Sequence, residues 1–254
     1  MGRPEIVNPA SGLRLDGRRT NEIRRIVCRV GQLSAANGSA YVEMGNTKVL
    51  AAVYGPSAVP MMQQQRLAEG GTSSLVVNCE FSMSSFSTGE RKRRVKTDRS
   101  SLEMSKTIRE VLESAICAEL YAECQIHIFV QVLEADGGIR AACINAASAA
   151  LAHAGIAMVD LTTCSSAGHV AGIPILDLSA AELGAGGPEL TLAYLPNRRK
   201  VTLLQCSGKT TVAEVDSMVA SCVAGCKTVH TELRETLLEF VRAEYIAREH
   251  DIDT

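Results

Sequence analysis

A run of basic residues occupies a stretch of the chain that shows neither helical nor strand periodicity. Residues 84–101 read SSFSTGERKRRVKTDRSS and contain few acids and six cations: Arg91, Lys92, Arg93, Arg94, Lys96 and Arg99. Such a cluster suits contacts to the phosphates of a nucleic acid, whose affinity falls as salt is added. Phe86 is the one aromatic residue nearby, so we expect base contacts that ignore sequence. The alternative is a solvated, mobile loop.

The composition limits which classes of protein the chain can belong to. Its 254 residues are 46% hydrophobic and only 4% aromatic, which predicts an aliphatic core large enough for one domain or two packed lobes. The net charge of -2 excludes a uniformly basic nucleic-acid-binding protein but not a local basic patch. An apolar run of the ~18 residues that a membrane span needs is missing, as is a signal-peptide core.

The cysteines do not suggest a metal site. Of the nine, only Cys222 and Cys226 are close in sequence, and neither a CxxC pair nor a histidine at zinc spacing accompanies them. We therefore expect no metal, and thiols that are buried as small hydrophobic groups in a reducing, intracellular compartment.

The spacing of apolar residues predicts an α+β chain in which each half has several strands followed by a helix. Alternating and β-branched stretches predict strands over 28–33, 40–44, 48–54, 75–81, 125–133, 161–167, 173–178, 189–195 and 200–206. Three- and four-residue periodicity predicts helices over 102–120, 141–154 and 212–249. We expect Gly55-Pro56 to end the first group of strands, and residues 182–187 to form a loop.

Eight short motifs, in the same order and over nearly the whole chain, resemble those of the ribonuclease PH family. They are LDGRR (15–19), GSAYVEMG (38–45), NTKVLAAVYG (46–55), FSTGER (86–91), LEADGGIR (133–140), INAA (144–147), AGIAMVD (154–160) and ILDL (175–178). Each motif alone is weak, but the ordered set is strong. Within the family, FSTGERKRR and DRSSLEM are most similar to the eukaryotic exosome ring subunit of the ribosomal RNA-processing protein 41 type.

The resemblance implies the ribonuclease PH fold, which consists of two packed ββαβα-type lobes and is ribosomal protein S5 domain 2-like. It also implies that six such domains form a ring around a pore that threads single-stranded RNA. We therefore predict one domain over 1–254, with an N-terminal lobe over 15–150 and a C-terminal lobe over 151–254 that ends in a long helix. Active members of the family attack the RNA end with inorganic phosphate and release nucleoside diphosphates.

In active relatives a Gly-Ser/Thr-Arg triplet forms the phosphate pocket, and this triplet matches Gly138-Ile139-Arg140. The match implies that backbone N–H groups, a hydroxyl and a guanidinium converge on one anion. Gly138 and Arg140 are retained, but Ile139 has no hydroxyl, and losing such a donor costs ~3 kcal/mol by analogy with oxyanion holes. The alternative for Arg140 is an ordinary ion pair at the start of a helix.

Active relatives also carry two acids six residues apart, on the ILDL strand and in the loop after it. The first matches Asp177, and the second matches Leu183, which can neither bind a metal nor transfer a proton. Glu182 is adjacent, but on an extended segment it would point away from Leu183, so it could substitute only in an irregular loop. Asp177 could equally be a structural carboxylate. Arg99 lies one position before the phosphate-contacting arginine of relatives, a place that Ser100 takes here.

Because Ile139 and Leu183 occupy two chemically required positions, we predict a non-catalytic, or nearly non-catalytic, exosome ring subunit. It would scaffold the barrel and line the RNA path for 3'-to-5' processing and decay. The expected partners are other ribonuclease PH-like subunits in a hexameric ring, cap subunits, a separate catalytic nuclease and single-stranded RNA, with no membrane and no cofactor. The resemblance implies a location in the nucleus, including the nucleolus, and in the cytoplasm.

Two alternatives remain. The chain could be an active phosphate-dependent 3'-to-5' exoribonuclease that uses Arg140 and Asp177, with Glu182 as the second acid and with inorganic phosphate and Mg²⁺. It could also be an α+β domain that keeps the fold but does not bind RNA.

Overall fold

The computed structural model describes residues 12–59, 75–91, 98–170 and 172–252, and only the backbone over 248–252. Within these residues, nine strands form two sheets. The first sheet is mixed, in the order β1-β2-β3-β5-β4, and consists of β1 (Ile26–Val30), β2 (Gly38–Met44), β3 (Thr47–Ala58), β4 (Val76–Met83) and β5 (Cys124–Glu134). The second is antiparallel, in the order β7-β6-β8-β9, and consists of β6 (Thr163–Val170), β7 (Ile173–Leu176), β8 (Glu189–Leu195) and β9 (Lys200–Ser207).

The described helices differ in how much of their surface is buried. They are α1 (Arg99–Ala115), α2 (Ile139–His153), the short α3 (Ala180–Leu183) and α4 (Val212–Ile252), with a 3-10 turn at Ala118–Tyr121. One face of α1 is buried, whereas every residue of α2 from Ala141 to Leu151 is buried. The many alanines of α2 allow this burial because their small side chains let a helix approach its neighbours from all sides.

Helix α2 lies between the two sheets, and α4 covers the other face of the second sheet. Alternate side chains of β8 show this arrangement: Leu192 packs with Cys222 and Met218 of α4, whereas Ala193 belongs to the core around α2. The closest approach is at Gly38, where a Cβ would lie 2.3 Å from the carbonyl oxygen of Ala150. The α+β class and the aliphatic core are therefore confirmed. The face of the first sheet that points away from α2 is not packed against a described helix.

Three predicted element boundaries were wrong. Strand β3 continues past Gly55-Pro56, because the ladder with β5 shifts register after Tyr54 and resumes at Ser57, which accommodates a proline that has no N–H to donate. The helix predicted to reach residue 120 ends at Ala115, since Ile116 is extended and bridges to Met158. Part of the predicted 182–187 loop belongs to α3.

Candidate functional site

Asp177 follows β7 and is buried in an ion pair with Arg24. Its side chain is 1% exposed, and its carboxylate accepts hydrogen bonds from the backbone N–H and Nε of Arg24, both at 2.9 Å, and from Nη2 at 2.8 Å. Burial alone would lower the pKa of Arg24, but the hydrogen bond and charge of Asp177 raise it above its usual value. The Asp177 carboxylate is thus held by Arg24 through three hydrogen bonds, and Nη1 of Arg18 lies 3.6 Å from its Oδ2.

Glu182 is held in the same way by Arg14. It lies in α3, where it closes a capping box with Ser179, and its carboxylate accepts hydrogen bonds from Nε (2.7 Å) and Nη2 of Arg14. Burial tends to raise the pKa of Glu182, but Arg14 and the Ser179 N–H hold it below its usual value. The expectation that Glu182 lies on an extended segment was wrong, because the capping box folds residues 180–183 into a helical turn and directs the carboxylate to Arg14.

The turn that carries the predicted phosphate site is fixed by Arg24 and Thr47. Arg24 donates to the carbonyl oxygens of Asp136 and Gly137, and the Thr47 hydroxyl donates to Gly137 at 2.7 Å. Gly138 then begins α2 with φ +61°, and a Cβ there would lie 3.0 Å from Nη2 of Arg24 and 3.4 Å from Oδ1 of Asp177. The structure therefore brings the turn next to Asp177, through an arginine that sequence reasoning did not single out.

Ile139, Leu183 and Arg140 of the predicted site have other surroundings. Ile139 packs against the main core, and Leu183 packs beside Ile175 and Leu178 in a small apolar cluster. Nε of Arg140 is buried without a hydrogen-bond partner among the described residues. Burial raises the pKa of Glu189, and the charge of Arg140 opposes that rise. Whether Arg140 binds phosphate stays a prediction.

The basic loop is described only at its ends. Lys92, Arg93, Arg94 and Lys96 lie outside the described residues, whereas Arg91 and Arg99 are described and exposed. A groove of about 920 Å³ lies between β4, residues 84–88 and the start of α1, and Asp98 and Ser100, which flank Arg99 in sequence, are among the residues that line it. Hydroxyl groups line its loop side, from Ser84, Ser87, Thr88, Ser100 and Ser101.

Two family models cover most of the chain. The 3' exoribonuclease family domain 1, RNase_PH, matches residues 22–157, and domain 2, RNase_PH_C, matches residues 160–221. The chain belongs to the 3' exoribonuclease (RNase PH) family. The resemblance inferred from the eight motifs is thereby confirmed.

Relatives within this family carry names of one type. An Arabidopsis thaliana exosome complex component RRP41 homolog is 51% identical over 92% of this chain and 95% of its own length. Exosome complex component RRP41 of Homo sapiens is 43% identical, over 91% of this chain and 93% of that protein. The Rrp41 component of the archaeon Methanopyrus kandleri is 44% identical, over 93% of this chain and 97% of that protein. The chain is thus similar to both eukaryotic and archaeal proteins of this name.

Solved structures confirm the predicted ribonuclease PH fold. Rice (Oryza sativa) Rrp46 superposes with a TM-score of 0.75 at 25% identity, covering 88% of this chain and 100% of that one. The Archaeoglobus fulgidus exosome with RNA bound to the active site gives a TM-score of 0.74 at 19% identity, covering 88% of this chain and 93% of that one, which is a likeness of fold.

The part of the chain that the structure describes contains neither a candidate metal cluster nor a candidate membrane span. Over 12–59, 75–91, 98–170 and 172–252, no group of three or more His, Cys, Asp or Glu side chains could hold a metal ion. None of the helices in this part of the chain is long and apolar enough to cross a membrane.

Proposed function

We propose that this RNase PH-family chain is a ring subunit of a eukaryotic-type exosome, which scaffolds the ring and lines the RNA path without catalysing phosphorolysis itself. The identity to exosome components named RRP41 over more than nine-tenths of the chain supports the assignment to an exosome. A plant relative at 51% identity and a human relative at 43% identity support the eukaryotic type.

The state of the two acids carries the proposal that the site is not catalytic. Phosphorolysis needs a carboxylate that can exchange a proton or bind a metal ion. Asp177 and Glu182 are each 1% exposed, and each already accepts the hydrogen bonds of a buried arginine. Leu183, at the position of the second acid, lies in an apolar cluster. Both acids that the sequence singled out are therefore already engaged by arginines.

The RNA-path role is supported by the exposed cations at the two ends of the basic loop. Arg91 and Arg99 are exposed, and the sequence neighbours of Arg99 line a groove that is rich in hydroxyl groups. Guanidinium groups in such a place can neutralise successive phosphates, and this attraction weakens as salt is added. The proposal includes other RNase PH-like subunits in a hexameric ring, cap subunits and a separate nuclease as partners, no cofactor, and a location in the nucleus, nucleolus and cytoplasm.

The test for catalysis is a ring reconstituted with its like-folded partners and supplied with labelled RNA, inorganic phosphate and Mg²⁺. We expect no nucleoside diphosphate that depends on this subunit. Nucleoside diphosphate that the wild-type ring releases, and that an otherwise intact Arg140→Glu ring does not, would show that the active-enzyme alternative is correct.

The test for RNA contact compares two charge reversals in the same ring. The double variant Arg91→Glu/Arg99→Glu is expected to weaken RNA binding and to reduce its salt dependence. Arg242→Glu, an exposed change on α4, is the control and should leave binding unchanged. Equal RNA binding by both variants would favour a domain that keeps the fold without an RNA role.

A further inference from the structure

A hairpin of the second sheet presents three adjacent cations to solvent. Residues 196–199 join β8 to β9, and burial changes abruptly there, since Leu195 is buried whereas Arg198, Arg199 and Lys200 are exposed. The sequence from 190 to 213 contains no Asp or Glu. Among the described residues, none makes a hydrogen bond or an ion pair with the side chains of these three cations. They are therefore available to an anion from outside the chain.

The turn is held in place by Asp160, so the cations are presented on an ordered support. Asp160 is 6% exposed, and its carboxylate accepts hydrogen bonds from the N–H of Asn197 (2.8 Å), the side chain of Asn197 (2.8 Å) and the N–H of Arg198 (3.2 Å). Arg199 has φ +54°, a left-handed conformation that glycine or asparagine adopts at lower cost. An arginine at such a position points to a use for its side chain.

Helix α4 runs alongside β8 and reaches the level of the hairpin. Sγ of Cys222 donates to the carbonyl oxygen of Leu190 at 3.9 Å, and Sγ of Cys226 donates to that of Leu192 at 3.6 Å. One turn of the helix thus matches two residues of the strand, and the two elements run in the same direction. The same match brings Arg234, two turns beyond Cys226, to the level of the turn between β8 and β9.

The flank of α4 that faces β8 is also cationic. A Cβ at Gly225 would lie 3.0 Å from Leu176 of β7, whereas Cys226 contacts β8, so these two residues mark opposite flanks of α4. At about 100° per residue, Lys227 and Arg234 lie on the flank of Cys226. Both are exposed and have no side-chain partner in the described part of the chain. The nearby acids lie on the flank of Gly225: Glu232, Glu235 and Glu239.

These five cations, which we call the cationic patch, are Arg198, Arg199, Lys200, Lys227 and Arg234. The patch lies away from the phosphate turn. A Cβ at Gly138 would lie 3.5 Å from Oγ of Ser166, and Ser166 pairs with Thr191 near the start of β8. The turn between β8 and β9 begins five residues further along the strand, which corresponds to about 17 Å. An anion on the cationic patch would therefore be a different group from one at the phosphate turn.

We propose that the cationic patch binds phosphates of single-stranded RNA away from the phosphate turn, an inference that rests on the RNA-path role proposed above. RNA carries one phosphate per nucleotide along a continuous strand, so it can neutralise cations on the hairpin and on α4 together. Residues 196–200 include no aromatic side chain, of the kind that protein interfaces favour at their centre, and this favours phosphates over an acidic protein. For the same reason the contacts should be independent of base sequence.

The first experiment removes the hairpin charges from the subunit in the reconstituted ring. Arg198→Gln/Arg199→Gln/Lys200→Gln should weaken the binding of a long unstructured RNA. It should also reduce the slope of log affinity against log salt by about 2, because each phosphate contact to a single strand contributes ~0.7. The matched control, Arg19→Gln/Lys106→Gln/Arg242→Gln, removes three exposed cations elsewhere and should keep the affinity and the slope of the wild type.

The second experiment tests whether α4 belongs to the same surface. Lys227→Gln/Arg234→Gln should weaken binding of the same RNA and reduce the salt slope by about 1.4. An unchanged slope in either this variant or the hairpin variant would overturn the proposal. So would a hairpin variant whose isolated chain unfolds in urea as the wild type does but which no longer enters the ring, because the patch would then contact an acidic protein.

These outcomes are separate from those that test the proposed function. The variant Arg91→Glu/Arg99→Glu and the hairpin variant change different elements, so a loss of RNA binding in only one of them identifies which element contacts RNA. Nucleoside diphosphate release would contradict the absence of catalysis and leave the result at the cationic patch intact.

Discussion

Replacing Asp177 with asparagine should destabilise the fold rather than remove a catalytic group. The change keeps the size of the side chain and suits the left-handed backbone, φ +54°, because asparagine tolerates that region better than most residues. It removes the charge opposite Arg24, whose side chain is 7% exposed and whose Nε and Nη2 both donate to that carboxylate. Breaking a buried ion pair by removing one partner costs about 3–5 kcal/mol, because the remaining charge is left buried without its counter-ion.

The assay is urea denaturation of the purified chain, followed by circular dichroism. We expect the free energy of unfolding to fall by about 3 kcal/mol, the lower end of the range, since asparagine retains one acceptor oxygen. Asp216→Asn, an exposed change on α4, is the control and should stay within about 0.5 kcal/mol of the wild type. The double variant Arg24→Met/Asp177→Asn should lose less than the sum of the two single changes, because neither buried charge is left alone.

A result that separates stability from chemistry would refute this reasoning. If Asp177→Asn unfolds like the wild type but the reconstituted ring loses phosphate-dependent product, then Asp177 acts on substrate. The same pair of measurements thus distinguishes a structural carboxylate from a catalytic one.

Three further predictions concern the same region and the core. Because the pKa of Glu182 is lower in the fold than its usual value, the stability from its pairing with Arg14 is present above about pH 4.3 and is lost as pH falls through the folded pKa. When the free energy of unfolding is measured against pH, Glu182→Gln should therefore lose less stability than the wild type over that interval. Gly38→Ala should destabilise by about 1–3 kcal/mol in urea, since its Cβ would lie 2.3 Å from the Ala150 oxygen, whereas Gly89→Ala, with no atom within 4 Å, should not. The double variant Ile139→Ser/Leu183→Asp restores the missing hydroxyl and the missing acid. If their absence is what prevents catalysis, a ring with this variant should release more nucleoside diphosphate in a phosphate-dependent way than the wild-type ring does. No gain would mean that a further group is missing.

Much of the architecture could be predicted from local patterns, because those patterns report which faces are buried. The alternation in residues 125–133 and the alanine-rich stretch at 141–154 both gave elements close to the observed β5 and α2. The capping box at Ser179 and Glu182 was also visible as an S-x-x-E pattern, and it would have predicted α3 in place of a loop.

Contacts between distant segments could not be predicted in this way. Arg24 meets Asp177 across 153 positions, and Arg14 meets Glu182 across 168, so nothing in the local sequence of either arginine identifies its partner. The groove beside β4 has the same origin. Phe86 was the one ring close to the basic loop in sequence, whereas Phe129 reaches the groove only because β4 and β5 pair in parallel.

The two arginines connect segments of this region that are distant in the chain. Arg24 contacts the turn at Asp136 and Gly137 as well as Asp177, so a single side chain joins the end of β5 to the segment after β7. Arg14 adds a second connection, to the carbonyl oxygens of Leu176 and Asp177 and to Glu182. These contacts use the carboxylates for stability, whereas the described ends of the basic loop lie on other elements and make no described hydrogen bond to them. Under conditions in which the Asp177→Asn subunit remains folded, a ring that contains it should therefore bind RNA with the affinity and the salt dependence of the wild type. Loss of both affinity and salt dependence would show that the ion pairs of Arg24 and Arg14 are coupled to the basic loop.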